Sequence, residues 1–173
     1  PLYDRGLHIV ELKKNLSRLG IGNYPKNPSP RFGGDTKRNV ETFQDYYGLD
    51  VTGKVDQKTL DKIEAILNSE YQDGQRGAHV VELKKKLKRL GIGNYPKDPS
   101  NYYGDSTDRN VRTFQSMYGL LVNGIADEVT LKKIDEILSL PYQSGDRGLH
   151  SVELKKNLSR LGIGNYPKNP SPR

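Results

Sequence analysis

Residues 9–20 read Ile9-Val10-Glu11-Leu12-Lys13-Lys14-Asn15-Leu16-Ser17-Arg18-Leu19-Gly20, and Ile9, Leu12, Leu16 and Leu19 recur at helical spacing. One face of this helix is apolar and the other carries Lys and Arg, and Gly20 supplies the stop, because glycine tolerates the left-handed conformation that ends many helices. Just upstream, Asp4-Arg5-Gly6-Leu7-His8 returns as Gln75-Arg76-Gly77-Ala78-His79 and again as Asp146-Arg147-Gly148-Leu149-His150. The same offset carries Leu19-Gly20 to Leu90-Gly91 and Leu161-Gly162, and Phe43-Gln44 to Phe114-Gln115. The chain is therefore read as copies of one unit. The third copy stops at Arg173, the counterpart of Arg31, and differs from the first between Asp146 and Arg173 only in Ser151 for Ile9.

Working outward, each unit reads as three short helices joined by Gly- and Pro-rich turns. The loop Gly22-Asn23-Tyr24-Pro25-Lys26-Asn27-Pro28-Ser29-Pro30 holds too much proline to be helical. A second helix is expected to start near Asp35-Thr36, with side-chain oxygens capping its first turn, and to bury Val40, Phe43 and Tyr47. A third opens at Asp56 or Asp127 and buries Leu60, Ile63 and Leu67, or Leu131, Ile134 and Leu138. Asn123-Gly124 marks a tight turn before it in the second copy. The expected fold class is thus all-α: tandem small three-helix bundles over 1–70 and 71–142, with a truncated third repeat over 143–173. That last piece has one amphipathic helix and cannot bury Leu154, Leu158 and Leu161 alone, so it docks on another module or another chain, or is disordered.

Composition bounds the rest. At 173 residues, 33% hydrophobic and 28% charged, the chain has apolar material for small cores only. It has no Cys, so packing must supply the stability. No apolar run reaches membrane-spanning length and no signal peptide is evident, which suits an internal piece of something longer. The net charge of +7 favours polyanionic partners, although basic residues standing beside Glu and Asp are read first as a solvated helix face.

The ordered set Arg5-Gly6, Ile9, Leu12, Leu19-Gly20, Phe32-Gly33, Thr36, Val40, Phe43-Gln44, Gly48-Leu49, Gly53 and Thr59 resembles the peptidoglycan-binding domain 1 family. Copy two repeats it from Arg76-Gly77 through Tyr103-Gly104, Phe114-Gln115 and Gly119-Leu120 to Gly124 and Thr130. The resemblance implies a three-helix module that binds cell-wall peptidoglycan non-covalently. Such modules are commonly attached to amidases, muramidases, peptidases or spore-cortex lytic enzymes of bacteria or phages, which implies an extracellular location at the wall. Lys13 and Lys84 depart from the family's usual Gln, Asn39 and Asn110 from Ala, and Asp56 and Asp127 from Gly.

Sugar recognition in water rewards flat aromatic faces together with amides and cations for hydroxyls and carboxylates. Asn23, Tyr24 and Lys26 offer that mixture, repeated at Asn94, Tyr95 and Lys97 and at Tyr166 with its neighbours; Tyr24 is read equally well as a lid on the helices. Arg38 and Asn39, with Arg109 and Asn110, stand near enough to the Phe-Gly turn to reach a stem-peptide carboxylate, although an exposed Arg on a helix is read first as solvated. Gln44 and Gln115 are read as bonding a loop backbone in preference to ligand. His8, His79 and His150 stand once per unit with no second His or Cys, so capping or packing is preferred to a metal site.

No zinc-protease motif, Cys–His pair or nucleophile elbow occurs, and the faint calcium-loop pattern of Asp50 and Asp56 fails because Leu121 replaces Asp50 in copy two. No catalytic residue, metal or cofactor is expected. Copying favours weak binding, which gains from avidity, over catalysis, which needs its site once. The expected partner is peptidoglycan, through glycan or stem peptide, together with anionic wall polymers. No membrane partner is expected. The alternatives are a structural array with chain–chain contact through the partial repeat, and, less favoured, a basic nucleic-acid-binding helix face.

Overall fold

A computed structural model describes residues 5–141, and they are helical throughout apart from turns and two isolated bridges. The chain divides into two compact units between Asn68 and Ser69. The first holds α1 (Leu7–Arg18), α2 (Gly34–Tyr46) and α3 (Gln57–Leu67); the second holds α4 (Ala78–Arg89), α5 (Asp105–Met117) and α6 (Glu128–Ser139). The expected partial repeat over 143–173, Tyr166 included, lies outside the described residues.

In the first unit α1 packs on both α2 and α3. Ile9, Leu12, Leu16 and Leu19 are buried, as their spacing requires, together with Val40 and Phe43 of α2, Tyr47 at its C-cap, and Ile63 and Ile66 of α3. Helix α1 ends in a Schellman motif: the Ile21 amide donates to the Leu16 carbonyl (2.9 Å) and the Gly20 amide to that of Ser17 (3.0 Å), with Gly20 at φ 83°. The second unit repeats this with Ile92, Leu87, Gly91 and Lys88.

Two local expectations are corrected. Helix α2 starts at Gly34 with Gly33 as N-cap and no side-chain cap, so Asp35 lies within the first turn, where it complements the helix dipole. On α3 the inward face is Thr59, Ile63 and Ile66, while Leu60 is exposed and Leu67 only half-buried. The cause is polar. The Thr59 hydroxyl donates to Asp56 Oδ1 (2.8 Å) and accepts from Gln44 Nε2 (3.1 Å), which fixes a threonine in the core slot and rotates Leu60 outward. Asp56 and Asp127 are true N-caps, each accepting from the amide three residues on at 2.9 Å.

The second unit begins earlier than its first helix. The Tyr71 carbonyl accepts from the Ala126 amide (2.9 Å), Gly74 and Gln75 exchange backbone bonds with Tyr103 (both 2.8 Å), and the Tyr71 ring meets His79 edge-on at 4.8 Å. The segment from Ser69 onward therefore belongs to the second module, two residues before the boundary read from the sequence.

Candidate functional site

The loop after α1 is held from below by a buried lysine. Lys13, only 5% exposed, donates through Nζ to the Ser29 carbonyl (2.8 Å), the Ser29 hydroxyl (3.2 Å) and the Arg31 carbonyl (2.7 Å). Lys84 does the same to Ser100 (2.9 and 3.0 Å) and to the Tyr102 carbonyl (2.5 Å). Desolvation lowers the pKa of both ammonium groups. Each also lies over the ring of the loop tyrosine, Tyr24 at 5.7 Å and Tyr95 at 5.9 Å, within cation–π range.

A second tie runs to α2. Asn39 Nδ2 donates to the Tyr24 hydroxyl (2.7 Å) and Asn110 Nδ2 to that of Tyr95 (2.8 Å). The backbone passes so close to this pair that a Cβ on Gly22, at φ +79°, would stand 2.6 Å from Asn39 Nδ2 and 2.7 Å from the Tyr24 ring; Gly93 is placed alike. Lysine beneath, asparagine at the tip and glycine alongside together fix the ring plane.

Tyr24 is half-buried and, with Pro25, walls two shallow depressions. One, of about 520 Å³, runs past Ser29 and Arg31 to the first turn of α2 at Gly34, Asp35 and Thr36. The other, of about 460 Å³, opens toward the outer face of α1 at Lys14, Ser17 and Arg18. Asn23 and Lys26 are exposed on the same loop, as are Asn94 and Lys97 in the second unit. Tyr95, however, is only 8% exposed, and Tyr102 replaces Arg31 as the exposed group, with the Arg76 guanidinium stacked 4.3 Å from its ring centre.

Of the residues singled out from sequence, Tyr24 and Asn39 meet directly, as do Tyr95 and Asn110. Arg38 is exposed on α2 and forms an ion pair with Asp35; Arg109 is exposed at the matching position of α5. Gln44 and Gln115 are fully buried and bond loop backbone: Gln44 Oε1 accepts from the Thr52 and Gly53 amides (both 2.9 Å) while Nε2 donates to the Lys54 carbonyl (2.9 Å). His79 Nε2 sits 2.8 Å from the Glu70 carbonyl, beside Tyr71. Sequence reasoning missed the supporting role of Lys13 and Lys84 and the Arg76–Tyr102 stack. A lysine on the inner stripe of an amphipathic helix was the available signal for the first; nothing local announced the second. Among the described residues no group of His, Asp or Glu is arranged to hold a metal, and no helix is long and apolar enough to cross a membrane.

The model of a family described as a peptidoglycan binding domain matches residues 5–63 and, separately, residues 76–134. No curated protein matches the chain, and no solved structure does.

Proposed function

Because the chain belongs to the peptidoglycan binding domain family, we propose that each module binds murein without cleaving it and holds a larger wall protein, such as a wall hydrolase of bacterial or phage origin, at the extracellular cell wall. The reading is carried by one observation: a half-exposed tyrosine, fixed by Asn39 and Lys13, walls a depression that also presents Arg31 and the open first turn of α2. A pyranose has an apolar face that stacks on such a ring, and its hydroxyls and peptide carboxylates suit the amides and guanidinium around it. Asn23, Lys26 and Arg38 line the approach in the first unit. Asn94, Lys97, Arg109 and Asn110 stand at the matching positions of the second, where the buried Tyr95 leaves less ring for stacking. Two weak sites on one chain reinforce each other because the second contact becomes intramolecular.

A sedimentation assay on purified sacculi tests this, comparing the chain with a Tyr24→Ala, Tyr95→Ala, Tyr166→Ala variant and with Tyr24→Phe. The triple variant should lose binding. Tyr24→Phe keeps the ring, loses the Asn39 bond, and should weaken binding only in part. Failure of the unaltered chain to sediment with sacculi, or release of soluble muropeptides by it, would defeat the reading.

A further inference from the structure

The depression on the α1 side of Tyr24 differs chemically from the one proposed for murein. It is lined by Lys14, Arg18 and Lys26 against a floor of Tyr24 and Pro25, and it contains no carboxylate. Glu11, the acidic residue of α1, lines the neighbouring groove between α1 and α3, which Arg18 also borders. All three cations are exposed, and none forms an ion pair with a described residue.

Comparison of the two copies shows that this charge is not interchangeable. On α2 the surface pair Lys37–Glu41 becomes Asp108–Arg112 on α5, so the ion pair persists while its polarity reverses. At the α1 positions the sign is kept, with Lys85, Arg89 and Lys97 standing for Lys14, Arg18 and Lys26, and Lys88 adding a fourth cation in place of Ser17. In the second copy Lys85 stands 4.0 Å from Glu82, and Asp98 follows Lys97 where the first copy has Asn27, so the extra cation Lys88 is partly offset there. The triad recurs in the sequence of the third copy as Lys156, Arg160 and Lys168. A helix C-terminus is complemented by one cation in its last turn, and Arg18 alone would meet that need.

We infer that this cation-lined depression is a second site on the first module, with its cations repeated in the sequence of the other copies, and that it takes a flexible phosphodiester polymer of the kind attached to bacterial walls. A repeated cluster of cations matches a partner whose charge also repeats. Two of the three cations are lysines, which bind phosphate as point charges and lack the planar fork that selects carboxylates. The wall-binding reading is used here only to name the polymer's source.

The test titrates the whole chain with soluble poly(glycerol phosphate), and separately with sacculi stripped of phosphodiester polymer. Three contacts per module imply that log K falls with log[salt] at a slope of about −2 per module engaged. The variant Lys14→Gln, Arg18→Gln, Lys85→Gln, Arg89→Gln should lose at least about tenfold in polymer affinity and flatten that slope, with binding to stripped sacculi unchanged. A control that removes exposed lysines of α3 and α6, Lys58→Gln with Lys132→Gln, should retain polymer binding. Polymer binding that is absent, independent of salt, or equal in the four-site variant overturns the inference, and continued binding to stripped sacculi would then leave the murein reading standing. Polymer binding without any binding to stripped sacculi supports this site and defeats the other. Duplex DNA that binds as tightly as the polymer, with the same loss in the variant, overturns the inference in favour of a nucleic-acid surface.

Discussion

The ammonium of Lys13 sits 2.8 Å from the carbonyl oxygen of Ser29, so a charge on the inner stripe of α1 anchors the proline-rich loop that carries Tyr24. Lys13→Met keeps the apolar stem and removes the donors. Hydrogen bonds from a charged group contribute roughly 1.5–3 kcal/mol each at most, and burial of the ammonium offsets part of that, so a loss of about 2 kcal/mol in the first unit is expected. Urea unfolding followed by tyrosine fluorescence measures it. Lys84→Met should act equally on the second unit.

That lysine also shows where the sequence stopped being legible. The helices were readable because Ile9, Leu12, Leu16 and Leu19 declare a single buried stripe, and because Asp56 and Asp127 stand where a carboxylate caps free amides. Lys13 falls on the same stripe, yet composition assigns lysine to solvent, and only the distant carbonyls of Ser29 and Arg31 make its burial sensible. Leu60 failed for the converse reason, since an inward threonine held by Gln44 takes the slot that hydrophobicity alone gives to leucine. At the site, the loop Asn-Tyr-Pro-Lys was recognisable as surface chemistry. Which edge of Tyr24 meets solvent depends on Asn39, fifteen residues away, and no local pattern encodes that.

Gln44→Leu should be among the most damaging single changes in the first unit. It leaves the buried Gly53 amide and the Thr52 amide without their acceptor, and the Lys54 carbonyl without its donor. Each stranded buried group costs about 1–3 kcal/mol, so a total of roughly 3 kcal/mol or more is expected. Hydrogen exchange should show loss of protection at Thr52 and Gly53 first. Unaltered protection there would contradict the assignment.

Gly22→Ala tests whether the ring of Tyr24 is held by close approach. The new methyl would meet Asn39 Nδ2 and the Tyr24 ring inside van der Waals contact, at a backbone angle that L-residues rarely adopt. The conformational term alone is about 1–2 kcal/mol. The expected result is a displaced Tyr24, read as altered aromatic chemical shifts, with sacculus binding reduced as in Tyr24→Ala. Wild-type shifts would show that the loop relaxes freely.

The N-cap of α3 gives the fold an acid-sensitive point. The Thr59 amide, then the Thr59 hydroxyl, hold the Asp56 carboxyl below its ordinary pKa of 3.8. A carboxylate depressed on folding stabilises the fold above that ordinary value, and its contribution disappears as pH falls through the lower folded value. Fraying of α3 at its N-terminus should therefore begin below about pH 4 and be absent from the acid profile of Asp56→Asn. Asp127→Ala, at the buried cap of α6, should cost about 1 kcal/mol at neutral pH. Calorimetry across pH measures the first, and calorimetry at neutral pH the second.

The alkaline limb should differ between the modules because of one substitution between copies, Phe32 in the first and Tyr103 in the second. Tyr103 is fully buried, its hydroxyl donating to the Gly124 carbonyl at 2.6 Å. Desolvation, reinforced by the negative charge of Asp108, pushes its pKa far above the ordinary 10.0. Above pH 10.0 the unfolded chain releases this proton while the folded chain keeps it, so the stability is fully present below that value and declines as pH rises through it. The decline approaches about 1.4 kcal/mol per pH unit for one proton. The buried lysines act oppositely: below 10.5 the unfolded chain holds more protons, so stability rises as pH climbs from their lowered folded values. Since both modules carry such a lysine, its contribution is common to the two, and the Tyr103→Phe variant isolates the phenol. Denaturant unfolding at pH values from 9 to about 11.5 should show the second unit losing stability relative to the first, and Tyr103→Phe should remove the difference. Parallel alkaline profiles in the unaltered protein would mean that the phenol ionises as readily folded as unfolded, which its burial against Gly124 forbids.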